Sequence, residues 1–287
     1  SAITSLAIYT ITGTNSGGGA TTTVTIIVND EIPYDIIYNP SSQTLTKGAP
    51  MGAVTPLVSG GAVNSWTISP ALPTGLTIDA ATGEISGTPT VVSPSTVYTV
   101  TATNAGGSGN GTITIQVNDI APFSIAYGNS PYTLTNGTQM TADTPTYLGG
   151  AVENWSITPT LPTGLVFDNS TGTISGTPTV NSPTTTYTIT ANNTGGTDTV
   201  TVEITVNDVI PSTIVYTGDP FTLTNGVQMS ADTPTAAGGA VDEWSISPDL
   251  PTGLAFDTAT GEISGTPTVL SPLTTYTITA TNTGGSD

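Results

Sequence analysis

The chain has no cysteine, no histidine and no arginine, and its single basic residue is Lys47. Without imidazole or thiol it lacks the common general bases, the strongest side-chain nucleophile and the soft-metal ligands. Carboxylates, hydroxyls and carbonyls are the groups left for chemistry. Against one cation stand 20 acidic residues, for a formal charge of −19. A phosphate backbone requires a basic surface, so nucleic acid is excluded as a partner, and anionic lipid would repel the chain. No apolar run is long enough to span a bilayer, so no membrane insertion is expected from this segment. Serine and threonine are plentiful but have no histidine partner, which removes the hydrolase triad. A glycosidase needs two facing carboxylates roughly 5–10 Å apart, and no such pairing recurs along the chain. The sequence therefore reads as that of a non-enzyme requiring no cofactor. The absence of cysteine leaves the redox compartment open. The scarcity of lysine and arginine leaves a trypsin-like protease only Lys47 to cut after, which suits an extracellular or cell-surface location.

What is present is a repeat. Trp66, Trp155 and Trp244 recur at an interval of 89 residues, as do the Thr-Gly pairs ending in Gly83, Gly172 and Gly261 and the Asn-Asp pairs ending in Asp30, Asp119 and Asp208. An interval of that size is one small domain, not one turn of a solenoid. The period divides the chain into residues 1–30, 31–119, 120–208 and 209–287. Residues 1–30 read as the C-terminal strands of a preceding repeat. The last segment reads as a repeat without its final strand, whose equivalent in the second repeat is Thr199 to Val206. Ser1 in place of Met, and the shared phase of residues 1–20 and 268–287, lead us to expect an excerpt of a longer chain.

Within residues 120–208, Val200, Val202, Ile204 and Val206 alternate with Thr201, Glu203 and Thr205, the period-2 pattern of a half-buried strand. Tyr187, Ile189 and Ala191 alternate similarly, and Asn193-Thr194-Gly195-Gly196 joins the two stretches as an antiparallel hairpin. Trp155 with Ile157, Leu165 with Phe167, and Tyr132 with Leu134 mark further strands. No window carries helical spacing, and Gly or Pro interrupts the chain every few residues. The expected class is all-β, with tandem β-sandwiches of roughly seven short strands each and the tryptophans in the cores.

The segment Leu161-Pro162-Thr163-Gly164-Leu165, then Asp168, then Thr171-Gly172-Thr173-Ile174-Ser175-Gly176-Thr177-Pro178-Thr179, returns as Leu72 to Leu76 with Thr82 to Thr90 and as Leu250 to Leu254 with Thr260 to Thr268. This signature resembles the immunoglobulin-like He_PIG family of prokaryotic surface proteins. The resemblance implies an Ig-like or cadherin-like sandwich, in tandem and non-catalytic, in secreted or cell-surface proteins. The same residues have local roles: Pro162 and Gly164 bend the chain between strands, Thr171-Gly172 supplies a tight turn, and Gly176-Thr177-Pro178 breaks pairing where the chain crosses between sheets. No lysine follows these glycines, so they do not form a phosphate loop.

Candidate sites are few. The junctions Asn29-Asp30 with Pro33, Asn118-Asp119 with Pro122, and Asn207-Asp208 with Pro211 resemble cadherin linkers, and Asp30, Asp119 and Asp208 are the candidate calcium ligands. Calcium needs roughly six to eight oxygens, and no Asp-x-Asp pair or acidic cluster lies in the body of a repeat to complete that shell. The other reading is a turn in which Asn-Asp ends one strand and Pro begins the next. Asp79, Asp168 and Asp257 precede the Thr-Gly turns and are expected to bond their own backbone. Lys47 aligns with Asn136 and Asn225, so it is read as an exposed side chain and not as half of a repeated cross-link. Asn110, Asn136, Asn154, Asn169 and Asn192 head glycosylation sequons.

Two functions follow. The first is a structural one: a stalk, or the body of an extracellular filament, whose partners are copies of itself or neighbouring repeats, with open sheet edges available for pairing. The second is an adhesin that binds a surface glycan or protein through loops at one end of a sandwich, for which Tyr34, Tyr38, Tyr127, Tyr147 and Tyr216 are the available aromatics.

Overall fold

The computed structural model describes residues 4–287, and within them every regular element is a strand. The first two, β1 (Thr4–Asn15) and β2 (Gly18–Val28), form a long antiparallel hairpin in which Tyr9 faces Val24 and Ala7 faces Ile26. The first repeat then runs through β3 (Tyr34–Thr46), β4 (Met51–Val54), β5 (Leu57–Ser59), β6 (Ser65–Ser69), β7 (Leu76–Ile78), β8 (Ile85–Gly87), β9 (Ser93–Asn104) and β10 (Gly107–Asn118). One sheet has the order β5-β3-β10-β9-β6 and the facing sheet the order β4-β8-β7. Strand β10 is antiparallel to β9 and parallel to β3.

The second repeat follows the same course through β11 (Phe123–Ala126), β12 (Tyr132–Thr135), β13 (Thr146–Leu148), β14 (Asn154–Thr158), β15 (Leu165–Phe167), β16 (Ile174–Gly176), β17 (Ser182–Asn193) and β18 (Gly196–Asn207). Its main sheet is β12-β18-β17-β14, with β11-β13 and β15-β16 as separate pairs. The sequence pattern did not mark β11 or β13, because both are short and Phe123 and Leu148 point outward, leaving Ile125 as the one buried residue of β11. The third repeat holds β19 (Ser212–Val215), β20 (Thr235–Ala237), β21 (Glu243–Ser247), β22 (Leu254–Phe256), β23 (Ile263–Gly265), β24 (Thr277–Asn282) and β25 (Gly285–Ser286).

The alternation read from the sequence becomes the core. Val202, Ile204 and Val206 are buried on β18, as are Tyr187, Ile189 and Ala191 on β17, while Thr201 and Glu203 face out. Because side chains on a strand alternate, one face of each hairpin can be apolar while the other stays wet. Trp66, Trp155 and Trp244 are each no more than 5% exposed, at the centre of their repeats.

The chain divides into two compact units. One comprises the hairpin, the first repeat and the short segments Gly149–Ala151 and Asn193–Gly196; the other comprises Pro122–Leu148, Val152–Asn192 and Thr197–Asp287. No helix is long and apolar enough to cross a membrane among the described residues.

Candidate functional site

Each repeat is closed by one tyrosine, one glycine and one tryptophan. The Tyr38 hydroxyl donates to the Gly83 carbonyl at 2.6 Å, and Tyr127 and Tyr216 donate in the same way to Gly172 and Gly261. These glycines sit at φ between +74° and +76°, where an L side chain is disfavoured. A Cβ on Gly83 would lie 2.6 Å from Trp66 Cδ2, and one on Gly172 would lie 2.8 Å from Trp155 Cδ2. The Thr-Gly turn therefore presses its backbone flat onto the indole and offers its carbonyl to the tyrosine.

This arrangement corrects the reading of three candidate aromatics. Tyr38 is 1% exposed and Tyr127 8%, and Tyr216 is partly buried, so none offers a ring face to a ligand. Burial holds the Tyr38 and Tyr216 hydroxyls up to about 12, and for Tyr216 the nearby Asp232 adds to it. Tyr127 is shifted upward by burial first and then by Asp143. The aromatics that remain exposed are Tyr34, at 49%, and Tyr147, whose ring stands edge-on to Trp155 with centroids 5.6 Å apart.

A buried carboxylate escaped the sequence reading. Asp143 accepts from the Tyr132 hydroxyl at 2.8 Å and from the Asn129 amide at 3.0 Å. In the third repeat Asp232 accepts from Gly218 N at 2.7 Å and from Thr217 Oγ1 at 3.1 Å, with Phe221 in the place of Tyr132. The first repeat has Val54 there, so no period-wide signal marked the position. These contacts pin the loop after the first strand and are structural in kind.

The turn aspartates behave as expected. Asp79 Oδ1 accepts from the amides of Ala81 at 2.7 Å and Thr82 at 3.1 Å; Asp168 and Asp257 accept equivalently from Ser170 and Ala259. The Ala81 and Thr82 amides hold Asp79 below the ordinary carboxylate value, as the Ser170 hydroxyl and amide do for Asp168 and the Ala259 amide for Asp257.

The junction aspartates are also engaged locally. Asp30, Asp119 and Asp208 each use Oδ1 to accept from the next residue's amide, at 3.0, 2.9 and 2.8 Å. Lys47, read from the sequence as an isolated exposed side chain, has its Nζ 3.6 Å from Asp119 Oδ1. Each junction brings one such carboxylate, and among the described residues no group of three or more acidic side chains gathers as a metal site would require. The neighbouring carbonyls are occupied as well. Ile120 O accepts from Gly150 N at 3.0 Å and from Asn193 Nδ2 at 2.8 Å, which uses both of its lone pairs.

That second bond belongs to a clasp which sequence reasoning missed. The hairpin turn after β9, β17 and β24 places an asparagine, Asn104, Asn193 or Asn282, against the linker that enters the same repeat. Asn104 Nδ2 donates to Glu31 O at 2.6 Å and Asn282 Nδ2 to Val209 O at 2.7 Å, while the Oδ1 atoms accept from Gly106 and Gly284 at 2.9 Å. Thr194 and Thr283 add a bond each, accepting the Asp119 and Asp208 amides at 2.9 Å. Gly106, Gly195 and Gly284 lie so close to the linker backbone that a Cβ would collide with the carbonyls of Asp30, Asp119 and Asp208.

The family comparison agrees with this division into repeats. The sequence model of the He_PIG family, described as "Putative Ig domain", matches residues 33–118, 121–207 and 204–287. The serine-rich adhesin for platelets of Staphylococcus aureus is 36% identical over 189 residues, which is 64% of this chain and 8% of the adhesin. Its counterpart in strain MRSA252 is likewise 36% identical, with 13% of its length covered. The chain thus spans a small fraction of these relatives. Among solved structures, a variant of titin domains I67–I69 aligns at a TM-score of 0.41 and 13% identity, covering 91% of this chain and 96% of that one. Drosophila N-cadherin EC1-4 aligns at 0.28 and 16% identity, covering 98% and 80%.

Proposed function

The chain belongs to the He_PIG family of immunoglobulin-like domains, and from that membership we propose that it is a structural, non-catalytic segment of an extracellular surface protein, serving as a stalk or as filament body. The observation that carries this reading is the clasp. A linker tied by side chains of the following repeat's hairpin transmits load through hydrogen bonds instead of hinging freely. The asparagine bond of the clasp recurs at all three junctions, and the first has Ala105 where the others have Thr194 and Thr283. The relatives by sequence are adhesins for platelets, which supports an extracellular location and leaves the whole protein's ligand to experiment.

Negative-stain imaging of the protein with and without EDTA tests the proposal. Rods or fibres that keep their length and straightness in chelator fit stiffening by the clasp. Rods that become flexible beads in EDTA would assign the stiffness to calcium at Asp30, Asp119 and Asp208 instead. Compact particles under both conditions would overturn the structural reading.

A second reading, adhesion, is favoured by one residue. Tyr147 is exposed and braced by Trp155, and its counterparts are Val58 and Ala236. An aromatic face held rigid in this way stacks well on a sugar ring or a protein partner. Binding to a glycan array that disappears in Tyr147→Ala would support adhesion, and an array without signal would remove it.

A further inference from the structure

The second repeat departs from its neighbours around the rim of Trp155. A Cβ on Gly172 would lie 2.8 Å from Trp155 Cδ2 and 2.9 Å from Pro145 Cγ, so the Thr-Gly turn, the indole and the segment leading into β13 share one contact. Tyr147, two positions after Pro145, sets its ring edge-on to Trp155 and is 38% exposed. Its equivalents are Val58 and Ala236. Packing does not require the exchange, because Trp66 and Trp244 are buried to 4% and 5% exposure with no aromatic at that position.

The turn changes in the same repeat. Thr173 stands where the first and third repeats have Glu84 and Glu262, and Ser170 where they have Ala81 and Ala259. In those repeats the glutamate engages a threonine: Thr55 Oγ1 donates to Glu84 Oε2 at 3.4 Å, and Thr233 Oγ1 to Glu262 Oε2 at 3.2 Å. In the second repeat a row of hydroxyls replaces that pair, with Thr173 Oγ1 2.8 Å from Thr144 Oγ1 and 2.7 Å from Thr171 Oγ1. Thr144 and Thr171 are exposed, and Thr173 is half-buried. The two bonds within the row consume two of its three protons, which leaves one donor and several lone pairs for a ligand.

We infer that this rim binds an uncharged glycan of two or more sugars, with one pyranose stacked on Tyr147 and its neighbour hydrogen-bonded to Thr144, Thr171 and Thr173. The inference rests on the adhesive reading of Tyr147 above and names the class of its ligand. A pyranose presents a face of C–H groups, which covers an aromatic ring, and an edge of hydroxyls, which both donate and accept. A row of threonine hydroxyls matches that edge because each of its members does the same. Thr144 and Tyr147 are three positions apart, so their Cα atoms lie within about 11 Å of each other, a separation that a short oligosaccharide bridges. Bracing by Trp155 fixes the tyrosine before binding, which lowers the cost of ordering it.

Charge selects the uncharged class. The chain's net charge of −19 repels a sialylated or uronic-acid glycan. Having Thr173 in place of a glutamate also removes a carboxylate whose hydration a neutral sugar would have to displace. The carboxylate that remains in the turn, Asp168, directs Oδ1 to the Ser170 amide and hydroxyl, at 2.7 and 2.6 Å.

Saturation-transfer NMR on the 287-residue chain tests the inference, with lactose, maltose, cellobiose and N,N′-diacetylchitobiose as neutral probes and sialyllactose and digalacturonic acid as acidic ones. The expected result is transfer to the ring protons of at least one neutral probe, unchanged between low and high salt, and none to the acidic probes. Tyr147→Ala and Thr173→Glu install the residues of the third repeat, so both variants should fold as the parent does. The first should abolish transfer, and the second should weaken binding by about tenfold. Transfer to the acidic probes, or Tyr147-dependent binding that Thr173→Glu leaves unchanged, overturns the inference while adhesion through Tyr147 stands. Transfer to none of the neutral probes also overturns it, and the adhesive reading falls with it only if the glycan array is silent as well.

Discussion

At the scale of single residues, the stability of each repeat concentrates in its Tyr-Gly-Trp contact. Gly172→Ala should destabilise the second repeat by about 2–4 kcal/mol, because the new Cβ meets both a left-handed backbone and the Trp155 ring. Tyr127→Phe removes one donor and leaves the Gly172 carbonyl unpaired beneath the ring, at a cost of about 1–2 kcal/mol. Urea unfolding of the two variants checks both values and their order. Ionisation adds a pH dependence. Tyr38 and Tyr216 ionise near 12 in the fold against about 10 in the unfolded chain. Their contribution is therefore intact below pH about 10 and is lost as pH rises from there toward about 12. On the acid side, Asp79, Asp168 and Asp257 have folded values below the ordinary one. Their contribution is present at neutral pH and is lost as pH falls from the ordinary carboxylate range through those lower values. Denaturant midpoints should form a plateau bounded by these two falls. A midpoint that holds constant from neutrality to pH about 12 would contradict the tyrosine assignment.

At the scale of elements, the hairpin turn between β17 and β18 and its counterparts do two jobs. The Asn-x-Gly-Gly sequence makes the turn, and the asparagine amide reaches out of it to hold a linker carbonyl. Asn282→Ala should leave the β24–β25 turn formed but free the Asp208–Val209 linker, costing about 1–2 kcal/mol locally. Hydrogen exchange should show faster exchange at the amides of Asp208 and Gly284, while the protection of β21 and β24 remains. If exchange at these two amides is unchanged, the clasp is not what orders the linker. The turn was legible in the sequence because its chemistry is local. The clasp was not, since Asn282 and Val209 are 73 residues apart and an asparagine in a Gly-rich turn already has a sufficient local explanation.

At the scale of the whole molecule, the repeats are alike in sequence and unlike in how much of the chain is laddered. The third leaves Phe221–Thr224 and Ser271–Tyr276 outside any ladder, where the second has β12 and β17. Less apolar area covered means a smaller folding free energy, so calorimetry of the dilute chain should show a separate, lowest transition belonging to the third repeat. A single transition shared by all three repeats would contradict the assignment. Lys47 offers the one tryptic site, in the turn after β3, and its pair with Asp119 is a half-exposed one contributing about 0.2–1 kcal/mol. Lys47→Met should thus change the first repeat's melting only slightly and remove all tryptic cleavage.

The sequence by itself determined the repeat and its length, the all-β class, the inward and outward faces of β17 and β18, the buried tryptophans and the aspartate turns. Each of these is written either in a periodicity or in contacts between residues a few positions apart. The tertiary structure alone decided the fate of Tyr38, Tyr127 and Tyr216, the use of Asn104, Asn193 and Asn282, the burial of Asp143 and the pairing of Lys47. In those cases the deciding partner lies tens of residues away, on another strand or linker. An amphipathic side chain such as tyrosine or asparagine suits either solvent or a buried carbonyl, so only the assembled backbone selects between them.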